Sequence, residues 1–170
     1  GPYFTPSSPE RSDLREDGTG QLLVLSGFVL TRQCRPVPGA LLDFWQADPT
    51  GQYDNRGFRF RGHLFADQQG RYQFIPRAPG LYPGRTRHIH VRVRGNRGPL
   101  LTTQLYFPGE ARNQRDRLFS PVLLVAVAER LLAHCASRTV NALRLPWDRK
   151  PRTLQTADRL AGALALDVAK

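Results

Sequence analysis

The apolar positions of this chain fall into short runs separated by turn-forming residues. Leu22–Leu30 (LLVLSGFVL) is apolar with β-branched residues and predicts a buried strand. Pro36 to Gly39 predicts a turn, and Ala40–Ala47 (ALLDFWQA) the next strand. Asp48–Gly51 (DPTG) has the side chains of a tight turn, and a loop follows through Asn55 and Gly57. Gly62–Ala66 and Tyr72–Ile75 flank Asp67–Gly70 (DQQG), which predicts a β-hairpin. Pro79–Gly84 is a loop rich in Pro and Gly. Arg87–Arg94 (RHIHVRVR) alternates polar and apolar with period two, which predicts a half-buried strand. Leu100–Phe107 (LLTTQLYF) is its expected partner. Ahead of all these, residues 1–20 are rich in Pro, Ser, Gly and charge and read as extended and irregular.

The pattern changes after Phe119. Ser120 before Pro121 suits an N-cap and the first helical position, and the run to about Ala136 reads as helix. Thr153–Val168 carries Leu154, Ala157, Leu160, Ala161 and Leu164 at helical spacing. The expected fold is therefore all-β: an antiparallel β-sandwich over residues 1–119 with an irregular N-terminal segment. Residues 120–170 are expected to form a helical C-terminal extension of the same domain. Strands and helices do not alternate, which excludes a doubly wound α/β sheet, and no internal repeat is present.

A length of 170 residues supports one domain with one core. Hydrophobic residues at 40% and charged residues at 23% are ordinary for a globular chain. The longest apolar run, Val122–Ala128, stops at Glu129 and Arg130, well short of the roughly 20 residues of a membrane span, so no membrane partner is expected. The chain begins at Gly1 and contains no Met, so an upstream segment is expected; the compartment stays open, with the cytoplasm favoured over export. The net charge is +11, almost all from Arg, since only Lys150 and Lys170 are lysines. These arginines are scattered and form no basic helix or run, so they read as a solvated surface rather than a nucleic-acid site. Their summed field would draw in anionic aromatic substrates. Cys34 and Cys135, about a hundred positions apart, fit no metal motif and read as ordinary thiols, with one long-range disulfide as the alternative.

The strongest local feature is His88-Ile89-His90. On a strand, alternate side chains share a face, so both imidazoles point the same way and can share a metal. Alone, this pattern fits zinc, copper, iron or two surface histidines. Two loop tyrosines narrow it. Tyr53 follows a strand end in GQYD, and Tyr82 lies in PGLYPG, six residues before His88. A phenol with a pKa near 10 is a poor zinc ligand. A trivalent iron favours anionic oxygen and would deprotonate it. Two phenolates and two imidazoles leave that ion one positive charge, a site suited to a dianionic catecholate.

In this context the chain resembles the intradiol ring-cleavage dioxygenases, the family of the catechol 1,2- and protocatechuate 3,4-dioxygenases. The matching segments are Gly1–Phe4 (GPYF), Pro38–Ala40, Phe44–Tyr53 (FWQADPTGQY), Asp67–Phe74 (DQQGRYQF), Pro79–Pro83 (PGLYP), Arg85–His90 (RTRHIH) and Thr103–Phe107 (TQLYF). The resemblance implies a non-haem Fe(III) held by Tyr53, Tyr82, His88 and His90. It implies that Tyr82 leaves the metal when substrate chelates while Tyr53 stays. Arg85 would stabilise charge on the activated ring, Gln104 would sit beside the metal, and Pro2 and Tyr3 would line the ring pocket. The implied reaction opens a catechol-type ring between its two hydroxylated carbons with O2, giving a muconate-type diacid. A homo-oligomer is compatible with this build. The competing expectation is a transthyretin-like binding module without catalysis, which has no need of these tyrosines and histidines. A zinc hydrolase would leave the tyrosines unexplained. His63 reads as structural, His134 as exposed, Phe44 and Trp45 as core. Arg59, Arg61 and Arg87 could reach the pocket mouth and contact a substrate carboxylate, the alternative being solvated strand arginines.

Overall fold

The alternation along the first strand is the key to the sandwich. In β1 (Leu23–Thr31), Leu23, Leu25, Gly27 and Val29 are buried while the residues between them are half-buried. One face of the strand therefore builds the core, where the sequence suggested burial on both. The computed structural model describes residues 3–31, 33–96, 98–127 and 158–166, the strands at 126–127 and 158–166 by their backbone alone. The further strands are β2 (Leu41–Trp45), β3 (Arg61–Phe65), β4 (Arg71–Phe74), β5 (His88–Arg94), β6 (Leu101–Tyr106), β7 (Ala126–Val127) and β8 (Asp158–Leu166). They form two sheets, ordered β4-β1-β8-β7 and β3-β2-β5-β6.

The core lies between the sheets. Leu25, Val29 and Phe74 come from the first, and Leu42, Phe44, Ile89, Val91 and Val93 from the second. The Phe44 and Phe74 rings stack across the gap at 4.3 Å. Each such side chain contributes roughly 1.5–3 kcal/mol on full burial. The N-terminal segment seals one side. Its backbone pairs with the edge strand β3 (Arg11 N to His63 O, 2.9 Å; His63 N to Pro9 O, 3.0 Å). It also pairs just beyond β4 (Leu14 N to Ile75 O, 2.9 Å; Ile75 N to Ser12 O, 2.7 Å). The edge of β3 is thereby covered around His63, and the chain just past β4 is tied to the same segment.

Several expectations are corrected. Asp67–Gly70 is a turn, closed by Gly70 N to Asp67 O at 2.9 Å, but the strands it joins are no hairpin. β3 pairs with β2 and β4 with β1, so the turn carries the chain from one sheet to the other. The turn residues set a local reversal, whereas pairing is set by which neighbour buries each face. Ser120 and Pro121 open only a 3-10 turn, Pro121–Leu123, followed by Leu124 bridging to Tyr106 and by β7. Residues 158–166 are strand rather than helix, pairing with β1 in parallel from Leu23↔Asp158 to Thr31↔Leu166. Leu and Ala at this spacing satisfy either period, and the open edge of β1 decides between them. The helical readings of 128–136, 153–157 and 167–168, and His134, lie outside the described residues. Cys34 is disulfide-bonded, not an ordinary thiol; Cys135 lies outside the described residues. No helix among the described residues is long and apolar enough to cross a membrane.

Candidate metal centre

β5 lies between β2 and β6 in the second sheet. Its Ile89, Val91 and Val93 point into the core, so His88 and His90 face out of the sandwich, beneath the loops. Strand register supplies their neighbours. His90 is paired with Trp45 on one side and Gln104 on the other, and His88 with Tyr106. The Trp45 indole stacks on the His90 ring at 4.7 Å with a 5° interplanar angle. Phe44 and Trp45 are both buried, as expected, on opposite faces of β2: Phe44 between the sheets and Trp45 on this outer face.

The two tyrosine loops are fitted to each other. Asp48 Oδ1 accepts from Thr50 N (2.8 Å), Thr50 Oγ1 (2.7 Å) and Gln52 N (2.9 Å), which fixes the turn before Tyr53. Gly80 N donates to the Asp48 carbonyl at 2.8 Å. A Cβ on Gly80 would run into the backbone of Pro49 and Gly51, so only glycine allows this approach. The contact sets Tyr53 and Tyr82 edge to face, with ring centroids 5.5 Å apart.

Three donor atoms converge. Tyr53 Oη lies 3.3 Å from His88 Nε2 and 3.1 Å from His90 Nε2, and the two nitrogens are 3.1 Å apart. His88 Nδ1 lies 2.7 Å from the Thr86 carbonyl oxygen, which can only accept. Nδ1 therefore carries the proton, and Nε2 offers a lone pair to the common point. Burial lowers the pKa of both histidines; for His90, with His88 and Arg85 adding to it, the value falls to about 2. Both rings are neutral near pH 7. Burial also pushes the Tyr53 phenol up, partly countered by Arg85 and Arg61, so ionising it calls for a cation at the site. Tyr82 Oη is hydrogen-bonded to Tyr3 Oη at 2.5 Å, at the margin of the cluster. Among the described residues no group of three or more His, Cys, Asp or Glu could hold a metal. Any metal at this point would depend on phenol oxygen, which disfavours zinc and fits a trivalent ion.

Arg85 sits in a bonded frame. Its Nε contacts both oxygens of Asp116 (3.1 and 2.9 Å), and its Nη2 reaches Gln104 Oε1 (2.6 Å) and Tyr106 Oη (3.2 Å). Tyr106 Oη donates in turn to Gln104 Oε1 at 2.8 Å. Asp116 also accepts from Thr86 N and Leu118 N, both at 2.9 Å. Burial works against its charge, but these donors and Arg85 outweigh it and hold the carboxyl below its usual range. Sequence reading missed Asp116 and Tyr106. Tyr106 was within reach, because it shares a strand face with Gln104 by period two. Asp116 carried no local signal.

Tyr3 stacks on Tyr53 at 4.7 Å and so lies against the cluster; Pro2 is outside the described residues. Of the three arginines expected at the pocket mouth, Arg59 and Arg87 are engaged elsewhere, and Arg61 is held beside the site tyrosines. Arg59 binds the Asp17 carbonyl (3.2 and 2.7 Å), Arg87 pairs with Glu110 (2.8 Å), and Arg61 is buried. Long arginine stems let the head groups turn back onto loop carbonyls. His63 is structural, its Nδ1 2.8 Å from the Ser8 carbonyl.

Known proteins resemble this chain in sequence and in fold. The profile of a family described as "Dioxygenase" matches residues 1–150. The protocatechuate 3,4-dioxygenase beta chain of Burkholderia cepacia is 33% identical over 118 residues, 59% of this chain and 50% of that one. Hydroxyquinol 1,2-dioxygenase of Rhodococcus opacus is 30% identical over 145 residues, 70% of this chain and 48% of that one. The chain thus spans about half the length of these curated relatives. Among solved structures, the dioxygenase domain of a dioxygenase–carbohydrate-binding protein fusion from the cellulolytic bacterium Streptomyces sp. SirexAA-E superposes with a TM-score of 0.80 at 44% identity, covering 99% of this chain and 95% of that one. The 3-chlorocatechol 1,2-dioxygenase of Rhodococcus opacus 1CP superposes with a TM-score of 0.77 at 25% identity, over 99% and 71% of the two chains. By sequence and by fold, this chain belongs to the intradiol ring-cleavage dioxygenase family.

Proposed function

We propose that this chain is a non-haem ferric intradiol dioxygenase that opens a catechol-type ring between its hydroxylated carbons with O2 to give a muconate-type diacid. The observation that carries the reading is the meeting of Tyr53 Oη with the Nε2 atoms of His88 and His90 at 3.1–3.3 Å, with Tyr82 alongside. Tyr53, Tyr82, His88 and His90 would hold the ion. When bound, it would chelate the two adjacent substrate oxygens and make the ring reactive towards dioxygen.

The chain's own residues do the rest. Tyr53 is wedged between the Tyr3 ring and the histidines, which suits a permanent ligand. Tyr82 Oη, at the margin of the cluster, is bonded to Tyr3 Oη, so on release from the ion it would keep that bond and could take up a substrate proton. Trp45 stacked on His90, and Thr86 bonded to His88, fix both imidazole planes. Arg85 presents a fixed cation beside the site for charge that develops on the ring. Gln104 holds Arg85 and stands next to His90. Small catechols and O2 are the proposed partners, with no role for nucleic acid or a membrane.

Ferrous loading in air tests the reading. The expected product is a burgundy protein with tyrosinate-to-iron charge transfer that consumes O2 with a catechol. Tyr53→Phe should lose the colour and the turnover. A wild-type protein that stays colourless and iron-free would sink the proposal.

A further inference from the structure

We infer that Arg61 is a positioning residue for the proposed metal centre, one buried guanidinium fastening both the Tyr53 loop and the Tyr3 end of the N-terminal segment to β3. The inference rests on the function proposed above. Arg61 opens β3 and is paired with Trp45, whose indole stacks on His90. Its side chain therefore lies on the same sheet face as the histidine pair. Its exposure is 1%, which is unusual for arginine. Burying a guanidinium is unfavourable unless its N–H groups are satisfied.

The way they are satisfied is informative. Nε and Nη2 both bond the Asp54 carbonyl oxygen (2.9 and 2.6 Å), and Nη2 also reaches Asn55 Oδ1 (3.3 Å). Nη1 bonds the Tyr3 carbonyl oxygen (2.5 Å). All of these are neutral acceptors, and among the described residues Arg61 forms no ion pair with a carboxylate. A side chain kept only to neutralise an acid would face one. The planar fork instead fixes the directions of two separate backbone segments.

Both segments carry site tyrosines. Asp54 directly follows Tyr53. The Asp54 carboxylate closes the loop on itself by accepting from Arg56 N, Gly57 N and Arg59 N at 2.8–3.0 Å. That stiff loop is then tied to the sheet through Arg61. Tyr3 has φ +64°, a conformation a residue other than glycine keeps only where its surroundings impose it. The Arg61 bond to its carbonyl supplies that restraint. Tyr3 in turn stacks on Tyr53 and bonds Tyr82. One cation thus sets both tyrosine rings in a single frame.

Hydrogen exchange of the metal-free protein tests this, comparing wild type with Arg61→Lys and Arg61→Met. Lys keeps the charge and the stem but lacks the fork. Residues 3–5 and 53–57 should exchange at least tenfold faster together, while β2 and β5 keep their protection. After ferric loading, the charge-transfer band of Arg61→Lys should shift and weaken. Unchanged exchange in both segments would overturn the inference. So would loss of protection across the whole sheet, which marks ordinary core, or a lysine variant with the wild-type band. Should Arg61→Met fail to fold, Arg61→Lys alone decides. Because exchange is read without metal, a wild type that binds no iron would defeat the proposed function separately from this latch.

Discussion

The histidines show how burial becomes chemistry at the scale of single residues. A ring that stays neutral down to about pH 2 when folded, against 6.5 when free, binds fewer protons than its unfolded counterpart in acid. His90 therefore leaves stability intact above pH 6.5 and withdraws it as the pH falls below that value. The metal-free protein should lose stability on acidification by up to about 1.4 kcal/mol per pH unit from this one group. Urea midpoints measured between pH 7.5 and 5 would check it, and His90→Asn should flatten the slope. Asp116 offers a second test. Asp116→Asn keeps the shape but removes the charge that seats Arg85 at 2.9 Å. Turnover should fall roughly 10- to 100-fold while iron and colour are retained, measured by O2 uptake beside the visible spectrum.

At the scale of elements, register does most of the work. One β5 alignment sets Trp45, Gln104 and Tyr106 around the histidines without any of them being neighbours in sequence. The period-two pattern of residues 87–94 made this strand legible, because alternation is a local property. The crossover at Asp67–Gly70 was not legible, since a turn does not say which sheet its second strand will join. Residues 158–166 were misread for a related reason: their spacing serves a helix or a strand, and the decisive partner, β1, lies far away in the chain. That pairing predicts the effect of removing it. A chain ended after Val127 would bare the β1 edge along its length and should aggregate or lose cooperative unfolding, as read by size exclusion and circular dichroism.

For the whole molecule, charge is the property that the fold does not cancel. A net charge of +11 should speed the capture of anionic substrates. Raising salt from about 0.01 to 0.15 M shortens the screening length from roughly 30 to 8 Å. The apparent KM for a catechol bearing a carboxylate should rise several-fold over that range, while that for uncharged catechol should barely move. Equal salt sensitivity for both would argue against steering.

The sequence by itself determined the candidate donors and the main strands. Residue type fixes which atoms can bind a metal, and alternation fixes which side chains share a face. Tertiary structure alone decided how the chain crosses between sheets, that the tail supplies strands, and where the arginines point. Arg85 is seated by Asp116, 31 positions away, and Arg61 holds Tyr3, 58 positions away. Such contacts leave no trace in local periodicity, because they join groups that only the folded sheets bring within hydrogen-bond reach.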